Sequence, residues 1–311
     1  MRHLVSGGFV TKVVSNYIYY IMEIKKVTIE SEIYPEILKK IPDPPKIIYF
    51  LGELKNKENC FAIVGTRKCT NYGKEVTLKI AGELAETKLT IVSGLAPGID
   101  TMAHLAAVER GKRTIAILGT GLDEESIYPK SNLKLVKKIL EKGGCLISEY
   151  PPKQRGTKFT FPRRNRIISG ISLGVLVVEA PERSGALITA NFAFLQKRRV
   201  FAVPGSIFSK HSKGCHLLIK KGAKLVEKAE DILEELKIPF SQKERKLKGE
   251  TKTETLILEA LKDGALYIDE IVEKTKLPIN EVLTTLSLLE IKEKVRNLGG
   301  NIYGLGKKIN F

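Results

Sequence analysis

The chain has 311 residues, 52 Lys+Arg against 35 Asp+Glu for a net charge of +17, and 43% hydrophobic residues. This composition excludes wholesale disorder, and the length exceeds what one core usually supports, so more than one domain is expected. The excess of cations points to a polyanionic partner, with a solvated Lys-rich surface as the alternative.

Residues 1–21 are mildly apolar but interrupted by Lys12 and followed by no small-residue cleavage site; they read as a tail, not as a signal peptide or membrane span. Residues 22–56 include the Pro-punctuated run YPEILKKIPDPPKIIYFLGEL and are expected to pack on the edge of the domain that follows. From residue 60 to about 205, short apolar runs alternate with helical stretches. The runs are Cys60–Val64, Leu89–Val92, Thr114–Leu118, Cys145–Ser148, Leu173–Val178 and Arg199–Val203. They are apolar throughout rather than alternating, as strands covered on both faces are. Between them, Val76, Ile80 and Leu84 form one helical stripe. Leu135, Val136, Ile139 and Leu140 form another, with Ser131 placed to cap it. The pattern predicts an α/β domain with a doubly wound, mostly parallel sheet.

Residues 237–250 are polar, charged and aperiodic, and read as a linker between a domain over 22–236 and a second over 251–311. In the second, Leu256, Ile257, Ala260 and Leu261 mark one helix, Ile268, Ile271, Val272 and Thr275 another, and Ile279, Val282, Leu283, Leu286 and Leu289 a third beyond the Leu277-Pro278 break. KVRNLGGNIYGL then reads as a hairpin with Gly299-Gly300-Asn301 at its tip. Three helices and a hairpin predict a small winged helix-turn-helix. Residues 250–311 carry 9 Lys+Arg against 10 Asp+Glu, so the positive charge belongs to the rest of the chain. The third helix has no cation from Asn280 to Ile291, which favours protein contacts or dimerisation over duplex reading.

Cys60, Cys69, Cys145 and Cys215 form no CxxC or Cys/His cluster; neither a zinc site nor a disulfide framework is expected, in keeping with a reducing cytosol. Ligands of a parallel α/β sheet sit beyond the carboxyl ends of its strands. Those ends here carry Gly65-Thr66-Arg67, SGLAPGID (93–100), GTGLDEESIYPK (119–130) and EAPERSGALITA (179–190). Small residues ahead of helices leave backbone N–H groups free for phosphate oxygens, and four such loops on one rim predict an anion-binding surface. Residues 153–166 add Lys153, Arg155, Lys158, Arg163, Arg164 and Arg166, no acid, and the interleaved rings of Phe159 and Phe161. Cations that follow a backbone, with aromatic faces between them, suit a single strand; a solvated loop with both rings in the core is the alternative.

No catalytic constellation is visible. His104 reads as structural, Ser93 and Ser184 follow no G-x-S-x-G pattern, and there is neither a Walker loop nor a dinucleotide fingerprint. Asp100, Asp123 and Glu179 are equally well turn or cap residues, and no cofactor or metal is expected.

The motifs VGTRKCTNYG, IVSGLAPGIDTMAH, TIAILGTGLDEESIYPKSN, LISEYPP, FPRRNRIISGIS, LVVEAPERSGALITA and VFAVPG occur together and in order over residues 34–226 or so, and the chain resembles the DprA/Smf family of DNA-processing proteins. The closing domain resembles the winged helix that many members carry. The resemblance implies an extended Rossmann-like domain without catalytic activity that binds single-stranded DNA in the cytoplasm, usually as a homodimer. It also implies protection of incoming strands in natural transformation and help in loading the RecA recombinase. Its DNA-contacting positions carry over to Arg67, Ser93, Gly94, Lys130, Lys158, Phe161, Arg164, Asn165 and Arg166; Gly65, Thr66, Arg163, Ser184 and Gly185 join them on the same rim. Arg67, Lys130, Lys158, Arg164 and Arg166 are then expected to neutralise phosphates, the Gly65 and Ser93 turns to offer N–H groups, and Phe161 to stack. His216 departs from the family's Asn, Pro97 from a frequent basic residue, and Lys197-Arg198-Arg199 from a Gly-Arg turn. Two alternatives stand beside this reading: a nucleotide-processing hydrolase on a related scaffold, whose Pro-Gly-Gly-x-Gly-Thr loop is absent at Pro181–Ala186, and a winged-helix transcription regulator.

Overall fold

The computed structural model describes residues 22–239, 249–262 and 264–306. The expected tail at 1–21 and most of the expected linker lie outside the described residues. The chain divides into two compact units, residues 1–240 and 241–311.

The first unit is a nine-stranded sheet: β1 (Lys25–Thr28), β2 (Ile47–Gly52), β3 (Cys60–Val64), β4 (Thr90–Ser93), β5 (Thr114–Leu118), β6 (Cys145–Ser148), β7 (Gly174–Val177), β8 (Arg199–Ala202) and β9 (Lys224–Leu225). The spatial order is β1-β2-β6-β5-β4-β3-β7-β8-β9, parallel from β6 to β9. Residues 22–56 do more than pack on an edge: β1 and β2 extend it, β2 pairing antiparallel with β6 and β1 with β2. Tyr34, Leu38 and Ile48 from this segment are fully buried, so its prolines punctuate part of the core.

Helices cover both faces, which is why the six central runs are mostly apolar and buried on both sides, with Cys60–Val64 buried at every position. Phe61 and Ile63 of β3 face Ile80 and Leu84 of α2 (Asn71–Ala85) and Ile99 and Ala103 of α3 (Ile99–Glu109). Ala62 and Val64 face the opposite way, toward Ile167 and Ile168 of α5 (Thr160–Gly170) and Ala186 and Ala190 of α6 (Gly185–Leu195). The predicted stripe on α4 (Leu133–Glu141) is buried as a unit against Leu118 and Leu146. Its cap is not Ser131: the helix starts one residue after a 3₁₀ turn over Lys130–Asn132, and Asn132 turns its amide to Leu95 O and Thr101 Oγ1 instead. α7 (Lys213–Lys220) and α8 (Ala229–Glu235) close the unit; the numbering counts the four-residue helix Glu36–Lys39 as α1.

The second unit has the predicted order: α9 (Lys252–Ala260), a short strand β10 (Leu266–Tyr267), α10 (Ile268–Thr275), α11 (Ile279–Ile291), and the hairpin β11 (Val295–Gly299) and β12 (Ile302–Leu305). Lys276 takes a left-handed φ of 59° before Leu277-Pro278, which separates α10 from α11. Gly299, Gly300 and Asn301 are all left-handed at the wing tip, and β10 pairs with β12 to make a three-stranded sheet. Ile257, Ile271, Val282, Leu286 and Leu289 form its core.

Candidate nucleic-acid interface

A cleft of about 970 Å³ opens at the carboxyl ends of the central strands. Its walls are the Gly65–Arg67 turn after β3, residues 125–130 after β5, residues 155–158 before α5, and residues 181–185 before α6, with α5 as floor. Ten expected site residues line it: Gly65, Thr66, Arg67, Lys130, Lys158, Phe161, Arg164, Asn165, Ser184 and Gly185. Arg155, Arg183 and Tyr128 line it as well and were not singled out as site residues, although each lies in a segment the sequence marks as basic or loop-forming.

The Arg67 turn is held at both ends by one residue. The backbone carbonyl of Glu179 accepts from Thr66 N at 2.7 Å, and its carboxylate accepts from Thr70 N at 2.9 Å and Thr70 Oγ1 at 2.6 Å. Glu179 is therefore a strut, not a ribose or metal ligand in waiting. The Pro97-Gly98 turn lies directly over the same loop, where a Cβ on Gly98 would come within 2.3 Å of Thr66 O at a φ of +82°. So braced, Arg67 points its exposed guanidinium over the Phe161 ring, 5.7 Å from its centroid. The ring itself sits in a slot: a Cβ on Gly119 or Gly156 would approach it to 2.8 or 2.6 Å, and Tyr128 packs beside it at 5.8 Å between centroids. Phe161 is thus a half-buried part of the wall, while Tyr128 is the more exposed ring.

The cations divide into two kinds. Among the described residues, Arg67, Arg155, Lys158 and Arg183 pair with no carboxylate and are exposed around the cleft. Lys130 donates to Glu124 O and Glu125 O at 2.7 and 2.8 Å, which fixes its ammonium at the mouth and leaves one N–H. Ser184 caps α6 by accepting from Ala186 N, and Gly185 beside it meets no heavy atom where a Cβ would be, so the positive end of an eleven-residue helix faces the cleft.

Five expected site residues have their polar groups engaged within the fold. Arg166 has a side chain only 4% exposed, is ion-paired with Glu149 at 2.6 Å and Asp43 at 2.8 Å, and is not among the residues that line the cleft. Arg163 is exposed but leans on Glu149 at 3.5 Å, also outside. Ser93 is buried and donates to Ile63 O, and Gly94 N is taken by Asp100 Oδ2 at 3.1 Å, so this turn offers no free N–H from Gly94. Arg164 does line the cleft, yet it is 4% exposed and donates to Gly94 O, Ile117 O and Asn165 Oδ1. It ties together the ends of β4 and β5 and is a scaffold residue with a charge to lend, not a free phosphate clamp. Burial lowers its guanidinium to about 10 and pushes the neighbouring Asp100 carboxyl up to about 6. Asn165 Nδ2 donates to Gly185 O and so joins α5 to the start of α6. His104 is structural as expected: Thr114 Oγ1 spends its hydrogen on Ile91 O, so Nδ1–H of His104 donates to that hydroxyl, and burial lowers the imidazole to about 3.

Among the described residues no three His, Cys, Asp or Glu side chains are grouped to hold a metal ion, and no helix is long and apolar enough to cross a membrane. The family model of DNA recombination-mediator protein A matches residues 25–237, and that of the DprA winged helix domain matches residues 241–301. The chain is 46% identical to DNA processing protein DprA of Bacillus subtilis over 215 residues, covering 68% of this chain and 71% of the relative. It is 40% identical to Protein Smf of Escherichia coli over 272 residues, 84% and 72% of the two chains. Among solved structures it is similar to DNA processing protein A of Streptococcus pneumoniae, with a TM-score of 0.65, 44% identity and coverage of 70% and 76%. It is also similar to DNA processing protein A of Helicobacter pylori, a structure described as showing a unique single-stranded DNA binding mode, with a TM-score of 0.61, 31% identity and coverage of 69% and 96%.

Proposed function

The chain belongs to the DNA recombination-mediator protein A family, DprA/Smf, and we propose that it binds single-stranded DNA in the cleft at the carboxyl ends of its sheet. The observation that carries this is the set of exposed cations without carboxylate partners among the described residues, Arg67, Arg155, Lys158 and Arg183, around a cleft walled by Phe161 and Tyr128. Cations left unpaired in a fold that pairs Arg113 with Glu58 and Arg166 with Glu149 and Asp43 are matched to an external polyanion. In this mechanism Arg67, Lys130, Arg155, Lys158 and Arg183 neutralise successive phosphates, the first turn of α6 takes a phosphate oxygen, and Tyr128 with the edge of Phe161 contacts bases without reading them. The similarity to the H. pylori protein, described by its single-stranded DNA binding mode, supports the same class of ligand.

The finer role follows from the family: protection of incoming strands in the cytoplasm and their delivery to a RecA-type recombinase by a homodimer, with no chemical step. A groove of about 470 Å³ between α6 and α7, with Ile188 and Leu217 exposed along it, supports self-association of the first unit. In the winged-helix unit, α11 exposes Ile279, Leu283, Leu288 and Ile291 and no cation, which supports protein contacts over duplex reading.

Titrating a labelled single strand of about 30 nucleotides and the matching duplex, at low and moderate salt, tests the proposal. Preference for the single strand, weakening as salt rises, is expected. Equal affinity for both, together with release of free base from nucleoside monophosphates, would instead favour the hydrolase alternative.

A further inference from the structure

Beyond the cleft wall, the loop after β8 carries the most exposed aromatic ring among the described residues. Phe208 is 94% exposed and its neighbour Ile207 74%. Large apolar side chains normally leave solvent, and a mobile loop could hide them against the surface; this loop holds them out. Ser209 N donates to Ser206 O, Phe208 N to Ser206 Oγ, His211 N to Ser209 Oγ and Ser212 N to Ser209 O, so the turn is closed on itself. Its base is pinned from two sides: Tyr72 Oη donates to Pro204 O at 2.9 Å, and His216 Nε2–H donates to Gly205 O at 3.0 Å. His216 thus has a task in fixing the loop.

The loop is continuous with the cleft. Because β7 and β8 are parallel neighbours, residues 203–212 lie on the same rim as residues 179–184. Ala180 N donates to His211 O and Gly214 N to Ala180 O, both at 2.8 Å, immediately before the Pro181–Arg183 wall. The charge is of one sign: residues 197–224 contain eight Lys+Arg and no acid. Lys210 pairs with no carboxylate among the described residues, and Lys213 only approaches Glu182 at 3.9 Å. Among the described residues two phenylalanines are exposed: Phe159, 72% exposed with Lys158 over its ring, stands on the β6 side of the cleft, and Phe208 on the β8 side.

Resting on the reading of the cleft as a single-strand site, we propose that the Ile207–Lys213 loop is a second, outer stacking platform. A single strand leaving the cleft past Arg183 lays a base on Phe208 while Lys210 and Lys213 hold its phosphates. An aromatic ring between cations is the composition that sequence-tolerant single-strand binding uses, and eight cations with no acid over residues 197–224 are complementary to a polyanion.

The chain has no Trp, so Phe208→Trp introduces a single Trp reporter at an exposed position where folding is not at stake. Its emission is followed while labelled oligothymidylates of about 6 and about 20 nucleotides are bound, with anisotropy of the label reporting occupancy. Quenching by the longer strand but not by the shorter one is expected. Phe208→Ala with Lys210→Ala should weaken the longer strand about tenfold and leave the shorter unchanged. Bound long strand with unchanged Trp emission overturns the platform while leaving the cleft intact. A fall in sedimentation mass of the Ala variant at unchanged affinity for both strands overturns it in favour of an interface between copies. If neither strand raises anisotropy, the cleft reading falls, and the platform with it.

Discussion

Replacing Arg166 with Met should cost stability and leave DNA binding alone. The guanidinium is nearly buried between Glu149, whose side chain is mostly buried, and Asp43, whose side chain is largely exposed. Losing the Asp43 contact matters little, because water solvates that carboxylate. Losing the Glu149 contact strands a carboxylate whose other cation, Arg163, stands 3.5 Å away and is itself exposed. An uncompensated, mostly buried charge costs about 3 kcal/mol, which for a unit of this size lowers the melting temperature by roughly 6–12 °C. Because the cost is that of the orphaned acid, adding Glu149→Gln should restore much of it. Circular-dichroism melts of the wild type, Arg166→Met and the double variant read the stability; the slope of log K against log salt for a single strand reads the phosphate contacts. A melt like the wild type's, together with a smaller slope, would refute the assignment of Arg166 to the scaffold and return it to the DNA.

Gly119→Ala adds no charge and meets no unfavourable φ, but its Cβ would press on Phe161 at 2.8 Å and on the Phe161 Cα at 3.1 Å. It should weaken single-strand binding several-fold by displacing the ring, with an unchanged salt slope, as titrations at three ionic strengths would show. His104→Leu tests the buried imidazole. The folded state holds it neutral down to about 3, whereas the unfolded chain protonates it near 6.5, so the wild type loses stability as pH falls from about 6.5 toward 3. The Leu variant lacks that term, and the gap between the two in urea midpoints should move in the variant's favour over that window; a constant gap would show that the imidazole protonates in place.

The central sheet was legible because both its faces are covered. At Cys60–Val64 every position must be apolar, so the run announces itself. The two added strands were not, since β1 buries only Val27, and β2 follows Pro44-Pro45 and mixes exposed, half-buried and buried positions without a regular period. At the site, the loops were legible and the directions of side chains were not. Arg163, Arg164 and Arg166 share one helix and one charge, yet the first leans outward, the second knots two strand ends, and the third answers acids 17 and 123 residues away. Nothing in a run of cations distinguishes these, because burial and partnership come from the sheet that the helix packs on. Gly94 failed for a similar reason: its N–H is consumed by Asp100, whose part in the turn is visible only once the turn closes.

The salt dependence of single-strand binding by Arg67→Ala tests the account most directly. Arg67 is exposed, unpaired with any carboxylate among the described residues, and held in place by Glu179 at both ends of its turn. Its loss should lower affinity by roughly tenfold at moderate salt, from a charge-assisted contact of about 1.5 kcal/mol, and reduce the slope of log K against log salt by about 0.7. An unchanged slope and affinity would take Arg67 out of the binding surface and, with it, the cleft as the place where the strand lies.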